Sequence, residues 1–172
     1  MTDYLRLDKI KHLPDNAKNH DLGAIILSIK EYGFVDPLAI NTTTGNDIDG
    51  NGRLDALRSM MLAGMQPPQD VKMDADGMWL VPVHYISRPA EIERALAIAL
   101  NRTNELGGWN AEVLTRVLSD IAADGQLTGT GYDAEDVDNL IKDLNAPATP
   151  RENAPKGGGV HVCPECGAEF ED

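Results

Sequence analysis

The sequence predicts an α+β domain in residues 1–145, followed by a tail. Segments with the alternation typical of strands come mainly first, and segments with helical spacing and clear caps come mainly last. The composition is that of a globular protein, with 42% hydrophobic and 25% charged residues. A chain of 172 residues is long enough for one domain of ordinary size with a buried core.

The first half of the domain is predicted to contain three strands and two helices. "YLRLDKI" alternates as a short, half-buried strand does. A helix follows, in which Asp21 caps the first turn and Gly33 ends the last one. "PLAIN" and "NDIDG" are the next strands, and "RLDALRSMMLAG" is the second helix. The paired prolines and the Asp-Gly of residues 63–78 then predict an exposed loop.

The second half is predicted to be one strand and three helices. "WLVPVHYIS" is the strand, and Pro82 within it predicts an edge position or a bulge. "AEIERALAIALN" is the first of the helices. Its predicted inner face consists of Ile92, Ala95, Leu96 and Ala99. Asn110 and Asp133 are predicted to cap the last two helices, and Trp109 is expected to anchor the core beside the first of these caps.

The charge balance limits the partners that this chain can bind. The net charge is -13, from 28 acidic and 15 basic residues. DNA contact is therefore expected to be weak or to pass through a partner protein. The N-terminus has no signal-peptide pattern, and no stretch approaches the roughly 18 apolar residues of a membrane span. We therefore expect a cytoplasmic protein without a membrane partner.

The segment "IDGNGRLDAL", residues 48–57, has the pattern of an anion site. Two glycines lead from a strand into a helix, and an arginine stands in the first helical turn. Glycine permits a turn with positive φ, and the free N–H groups of a helix N-terminus attract anions. We expect a phosphate cradle made of Gly50, Asn51, Gly52 and Arg53. The alternative is an ordinary tight turn with a solvated arginine.

Several motifs in a characteristic order give the chain a resemblance to the ParB/sulfiredoxin superfamily over residues 5–144. They are "LPDNAKNH", "SIKEYGFVDPLAI", "IDGNGRLDAL", "VPVHYI", "ALAIALNRTNELGGWNAEVLTRVLSDI" and "GYDAEDVDNLI". Within the superfamily the chain is most similar to the ParB-like domains of phages and mobile elements, some of which are fused to DNA methyltransferases. The resemblance implies a small mixed sheet with C-terminal helices.

The resemblance also implies a nucleoside triphosphate ligand, CTP or ATP, with magnesium as its companion ion. ParB proteins bind and hydrolyse CTP, sulfiredoxins use ATP to repair a cysteine sulfinate, and a related kinase phosphorylates free serine. In this chain Asn101 and Arg102 of "LNRTNE" are implied to meet a phosphate from the side opposite Arg53.

Two departures from the family pattern limit the reactions that this chain can catalyse. Asn51 occupies the position of the catalytic cysteine of sulfiredoxins, and an amide cannot replace a thiolate nucleophile. Sulfiredoxin activity is therefore excluded. Leu100 occupies the position of the metal-binding glutamate of the CTPases, which puts magnesium-assisted hydrolysis in question. The weak catalytic candidate is Glu31, by analogy with the kinase, and its alternative is a solvated glutamate at a helix end. No role is assigned to His20.

These observations predict a ParB-like nucleotide-binding protein of a DNA-associated phage or mobile-element system, with slow NTPase activity as an open question. Two alternatives remain. One is a nucleotide-dependent phosphotransferase or a DNA-base-modifying enzyme, which a carboxylate close to the γ-phosphate would favour. The other is a catalytically silent regulatory module of a DNA methyltransferase or packaging protein, which a retained fold without nucleotide binding would favour.

The composition changes after the domain. Residues 146–159 are a linker rich in proline and glycine, and residues 160–172 are a short tail. "HVCPECG" places Cys163 and Cys166 at zinc-knuckle spacing, with His161 two residues before the first. Because a structural zinc needs four ligands, this is half of a zinc ribbon. An acidic residue such as Glu169, a second copy in a homodimer or a partner protein would complete it, and the alternative is a tail without metal.

If the tail binds zinc, the purified protein will carry about one zinc per chain, or about one per two chains if two copies share the site. Replacing Cys163 and Cys166 with serine is expected to remove the metal and to leave the melting temperature of the domain unchanged, because the linker separates the two parts. Elemental analysis of protein purified without chelators measures the metal. Wild-type protein without zinc would contradict the prediction.

Overall fold

Six short strands form one mixed sheet in the computed structural model, which describes residues 3–146, 160–162 and 168–171. The strands are Asp3–Arg6 (β1), Lys11–His12 (β2), Leu38–Asn41 (β3), Asn46–Asp49 (β4), Lys72–Met73 (β5) and Trp79–Ile86 (β6). The order across the sheet is β1-β6-β3-β4-β2, and β5 also pairs with β6. The pairs β3/β6 and β2/β4 are parallel, and the others are antiparallel. The α+β class and the mixed sheet are thus confirmed.

Five helices accompany the sheet within residues 3–146. They are Leu22–Tyr32 (α1), Asn51–Leu62 (α2), Glu93–Gly107 (α3), Ala111–Ala123 (α4) and Ala134–Asn145 (α5). The three predicted caps are confirmed, since the side chains of Asp21, Asn110 and Asp133 accept hydrogen bonds of 3.0, 3.0 and 2.9 Å from the backbone N–H three residues further on. None of the helices in the described residues is long and apolar enough to cross a membrane.

The main core lies between the sheet and helices α1 and α2. Its largest buried contributors come from β3, β6, the two helices, the loop after α1 and the segment before β2. They include Leu7, Ile10, Ile29, Phe34, Leu38, Leu54, Leu57, Trp79 and Val81. Because α2 packs through this core, its N-terminus is held at a defined place beside the ends of β3 and β4.

The predicted strands need three corrections. "YLRLDKI" is β1 followed by a short 3-10 helix, and β5 lies inside the predicted loop, where two residues are too few to show a period. The prediction of an edge position for β6 is wrong, because β6 lies between β1 and β3. Pro82 is tolerated there because the ladder to β3 begins at Val83, so its missing N–H costs no hydrogen bond on that side.

The predicted inner face of α3 is also wrong. Of the predicted residues only Leu96 packs against the core, whereas Ile92 is 44% exposed and both Ala95 and Ala99 are exposed. The buried residues of α3 are Glu93 and Ala97. The apolar pattern therefore does not point at the sheet. A polar contact sets the rotation of this helix instead.

That contact is the buried carboxylate of Glu93. It accepts hydrogen bonds from the side-chain amides of Asn41 and Asn46 at 2.6 and 3.0 Å, and from the hydroxyl of Thr44. Burial raises the pKa of Glu93, but the hydrogen bonds from Thr44, Asn41 and Asn46 outweigh it and hold the pKa below its usual value of 4.5. The anchored carboxylate ties α3 to the strands β3 and β4.

Trp109 does not anchor the core. It is 76% exposed, because α3 continues to Gly107 and the connection to α4 starts at Gly108 with a φ of 58°. The other tryptophan, Trp79, is buried in the core and is not free to stack on a base.

The described part of the tail is a two-stranded antiparallel sheet of Val160–Val162 (β7) and Glu169–Glu171 (β8). In its register His161 is opposite Phe170. Cys163, Cys166 and residues 147–159 of the predicted linker lie outside the described residues. The zinc site therefore stays a prediction.

The connection from β4 to α2 consists of Gly50 alone. Its φ is 142°, a backbone conformation that residues with a side chain rarely adopt. A Cβ atom at this position would lie 2.3 Å from Cδ2 of Leu38 and 3.2 Å from Oδ2 of Asp47. The turn therefore rests directly on the buried side chains of β3 and β4.

Gly50→Ala is expected to lower the free energy of unfolding by about 3 kcal/mol, because backbone strain and the clash with Leu38 add. The matched control is Gly64→Ala, whose φ is 69° and whose Cβ would meet no atom within 4 Å. This control is expected to lose only about 1 kcal/mol, from backbone strain alone. Urea unfolding measures both values, and equal losses would argue against the close packing of the turn.

Candidate functional site

The turn at Gly50 borders a cleft of about 200 Å³. The turn itself, the loop before α1, and helix α3 form its walls. Five of the six residues predicted to bind phosphate line this cleft: Gly50, Asn51, Gly52, Arg53 and Asn101. The structure adds the side chains of Asn16, Lys18 and His20.

The sixth predicted residue, Arg102, lines an adjoining cleft of about 340 Å³. Its guanidinium lies 3.5 Å from the Glu105 carboxylate, which also binds Lys18. The hydrogen bond from Lys18 and the nearby Arg102 charge hold the pKa of Glu105 below its usual value. Asn101 and Arg102 lie within α3, which continues to Gly107, and not at its end as predicted. Neighbouring residues of a helix point about 100° apart, so the two side chains cannot meet one phosphate from the same direction.

The N-terminus of α2 presents free backbone donors to the cleft. The first hydrogen bond of this helix joins the N–H of Leu54 to the carbonyl of Gly50 at 2.8 Å. The N–H groups of Asn51, Gly52 and Arg53 therefore have no partner inside the helix. Together with the helix dipole they form a positively polarised site.

The side chain of Asn51 serves the structure. Its Oδ1 accepts a hydrogen bond of 3.0 Å from the backbone N–H of Leu13, and its Nδ2 donates one of 3.1 Å to the carbonyl of Asp47. The same Oδ1 lies 3.0 Å from Nδ1 of His12, whose Nε2 lies 3.0 Å from Asp55. These contacts hold the side chain of Asn51 in the fold, and its backbone N–H has no partner inside the helix.

The second glycine of the motif makes room for a histidine. A Cβ on Gly52 would lie 2.6 Å from Cγ and Nδ1 of His20 and 3.0 Å from Cδ1 of Ile25. The ring of His20 therefore packs against the first turn of α2, inside the cleft. No local signal in the sequence connects His20 with Gly52, because the two positions are 32 residues apart; sequence reasoning missed it for that reason.

Arg53 is held at the cleft by oxygen atoms. Its NH1 lies 2.7 Å from Oδ2 of Asp36, and its NH2 donates a hydrogen bond of 3.3 Å to the carbonyl of Asp49. The side chain of Asp36 is 62% exposed, whereas that of Arg53 is only 26% exposed. An incoming anion would thus compete with Asp36 for a guanidinium that is already near the right place.

Asp47 lies beneath the turn, where no local sequence pattern predicts a buried carboxyl group. Its side chain is fully buried, and neither carboxylate oxygen has a hydrogen-bond partner. Burial raises the pKa of Asp47 from 3.8 to about 7, against the opposing effect of the Arg53 charge. The Asp49 charge raises it further, whereas the nearby backbone N–H groups of Asp49 and Ala39 lower it. Among the described residues, the buried side-chain atoms without a partner are the two oxygens of Asp47 and Nε of Arg53, all at this turn.

The remaining candidates do not meet at the cleft. Glu31 is exposed in the last turn of α1, where its Cβ lies beside Gly129, and it does not line the cleft. The residues present do not fit a magnesium site on α3, since the hydrocarbon side chain of Leu100 offers no oxygen ligand. In the part of the chain that the structure describes, no group of three or more His, Cys, Asp or Glu residues is placed to hold a metal ion.

Comparison with known structures identifies the fold. No protein-family model and no curated protein matches the sequence. The structure is similar to a crystal structure of the C-terminally truncated chromosome-partitioning protein ParB from Caulobacter crescentus complexed with CTP-gamma-S. The TM-score is 0.59 at 15% sequence identity, and the match covers 86% of this chain and 80% of that one. Similarity at this low identity establishes the fold alone. The chain therefore has a ParB-like fold.

Proposed function

We propose that the cleft at the turn of Gly50 binds the phosphates of a nucleoside triphosphate, with CTP as the first candidate. The observation that carries the proposal is the N-terminus of α2, whose free N–H groups border the cleft beside Arg53 and Lys18. The similarity to a ParB structure with CTP-gamma-S supports the choice of nucleotide.

Local charge explains how an acidic chain can bind an anion. The net charge is -13, but Arg53 and Lys18 both line the cleft, and the ammonium of Lys18 is paired with Glu105 in the adjoining cleft. A phosphate would take the place of Asp36 as the partner of Arg53. The ion pair with the exposed Asp36 is worth only about 0–1 kcal/mol, whereas hydrogen bonds to a charged group contribute about 1.5–3 kcal/mol. The exchange therefore favours the phosphate.

The adjoining cleft offers room for the nucleoside. It shares Asn16, Lys18 and Asn101 with the phosphate cleft, so one ligand can extend from one to the other. Leu13 and Ala97 give its floor an apolar surface, and the amides of Asn16 and Asn101 supply donors and acceptors. This mixture of apolar walls and a few polar groups is typical of small-molecule sites.

Binding accounts for the site better than catalysis. Asn51 has replaced the nucleophile of sulfiredoxins and is engaged in structural hydrogen bonds. Glu31, the candidate carboxylate for phosphate transfer, lies away from the cleft. We further propose that the protein acts in the cytoplasm within a DNA-associated system of a phage or mobile element, and that a partner protein makes the DNA contact, as the acidic balance requires.

Arg53→Ala is expected to weaken CTP binding by about 1.5–3 kcal/mol, roughly 10- to 150-fold, because charge-assisted hydrogen bonds to phosphate are lost. The melting temperature of the free protein at pH 6 is expected to change little, since the ion-pair partner Asp36 is exposed and the buried Asp47, with a pKa of about 7, is mostly protonated at that pH. Isothermal titration calorimetry measures the affinity.

The matched control is Arg116→Ala, which removes the same charge from an exposed position on α4. It is expected to leave CTP affinity within about twofold of wild type, because a remote exposed charge is screened by salt. Equal affinities of wild type and Arg53→Ala, or no binding of CTP or ATP by wild type, would overturn the proposed function.

A further inference from the structure

The buried carboxyl group of Asp47 is not used by the phosphate site as described so far. Its Oδ2 would lie 3.2 Å from a Cβ on Gly50, and NH2 of Arg53 would lie 3.4 Å from that same point. The carboxyl group of Asp47 and the guanidinium of Arg53 therefore both lie against Gly50, whose turn borders the cleft. An unpaired carboxyl group directly under an anion site has to interact with whatever binds there.

We propose that Asp47 is a proton-binding residue of the anion site, so that the protein takes up a proton at Asp47 when an anion binds and an ionised Asp47 opposes binding. The inference rests on the proposed function of the turn. It assigns to Asp47 a part in binding that its burial alone does not imply.

Two physical effects support this coupling. A phosphate and an ionised Asp47 are like charges, and like charges repel strongly where little water lies between them. An ionised Asp47 also attracts the Arg53 guanidinium, whose Nε is buried without a partner, and so competes with the ligand for it. Protonation removes both effects, because a neutral carboxyl group neither repels the phosphate nor holds the arginine.

Two other titratable groups near Asp47 have partners other than Asp47. On β2, His12 is its register partner and has both ring nitrogens near oxygen atoms of Asn51 and Asp55. On α3, Glu93 is fully engaged in hydrogen bonds that keep it ionised.

Two acidic residues and one histidine also lie near Asp47 on the side of the cleft. Asp49, on the same strand as Asp47, lines the cleft, and Asp36 is paired with Arg53 at the cleft edge. His20 also lines the cleft. A comparison of proteins that differ only at Asp47 separates its effect from that of His20.

The pKa of Asp47, about 7, gives the size of the effect. The fraction of protein molecules in which Asp47 is protonated is about 0.9 at pH 6 and about 0.1 at pH 8. If only these molecules bind the anion, the apparent affinity is proportional to that fraction. Asp47→Asn carries a permanently neutral side chain of similar shape. Wild type is therefore expected to match Asp47→Asn at pH 6 and to bind about tenfold more weakly at pH 8.

The test is calorimetric titration of wild type and Asp47→Asn with CTP at pH 6 and pH 8. The ratio of the two Kd values at each pH cancels the titration of CTP and every other contribution that both proteins share. Asp124→Asn, an exposed position at the end of α4, is the control for the loss of one acidic charge. The ratio of the Kd of Asp124→Asn to that of wild type is expected to be the same at both pH values.

A ratio for Asp47→Asn that does not change with pH would overturn the inference and leave the proposed function standing. No CTP binding by wild type at either pH would overturn both. If Asp47→Asn does not fold, the carboxyl carbon of Asp47 is followed by NMR in wild type. Its titration midpoint is expected to rise by at least one pH unit on saturation with CTP, and an unchanged midpoint would overturn the inference.

Discussion

The site at the start of α2 depends on the absence of a side chain at Gly50. Because Gly50 has no Cβ, the connection from β4 to α2 rests on Leu38 and Asp47 and needs no further residue. The helix therefore begins at the surface of the sheet, with its free N–H groups beside the ends of β3 and β4. A longer turn would lift α2 away from the sheet and would separate Arg53 from Asp36 and Asp49, its present partners.

The side chain of Asn51, next to the proposed phosphate site, stabilises the fold. Its amide joins the chain after β2 to β4 through two hydrogen bonds, to Leu13 and Asp47, and it fixes the start of α2 at the same time. A buried amide whose oxygen and nitrogen are both hydrogen-bonded holds three elements in one arrangement. The turn thus leaves the backbone N–H groups of α2 without partners inside the helix, while the side chain of Asn51 is directed inward.

Acidic groups surround the one arginine of the turn. Asp36 binds its guanidinium at the surface, the carbonyl of Asp49 accepts from it, and Asp47 lies beneath it without a hydrogen bond. The charge of Arg53 is therefore shared between the protein and any ligand. Such a balance is sensitive to protonation, because removing one buried negative charge changes the field at the turn more than any exposed residue does.

Local chemistry explains which features could be predicted from the sequence. A helix cap is decided by a side chain and an N–H three residues away, so Asp21, Asn110 and Asp133 were identified from sequence alone. The turn of Gly50 to Arg53 and the α+β class also depend on neighbouring residues and on the order of short patterns. The motif order pointed to the ParB-like fold for the same reason, although no family model matches the chain.

Contacts between distant residues were decided by the tertiary structure alone. Pro82 lies in a central strand because of where the β3 ladder begins, and α3 turns Glu93 inward because Asn41, Thr44 and Asn46 meet its carboxylate. The situations of His20 and Asp47 likewise depend on side chains brought together by packing. A sequence pattern reports apolar periodicity and local hydrogen bonds, whereas the burial of a polar group depends on partners that only the folded chain brings within reach.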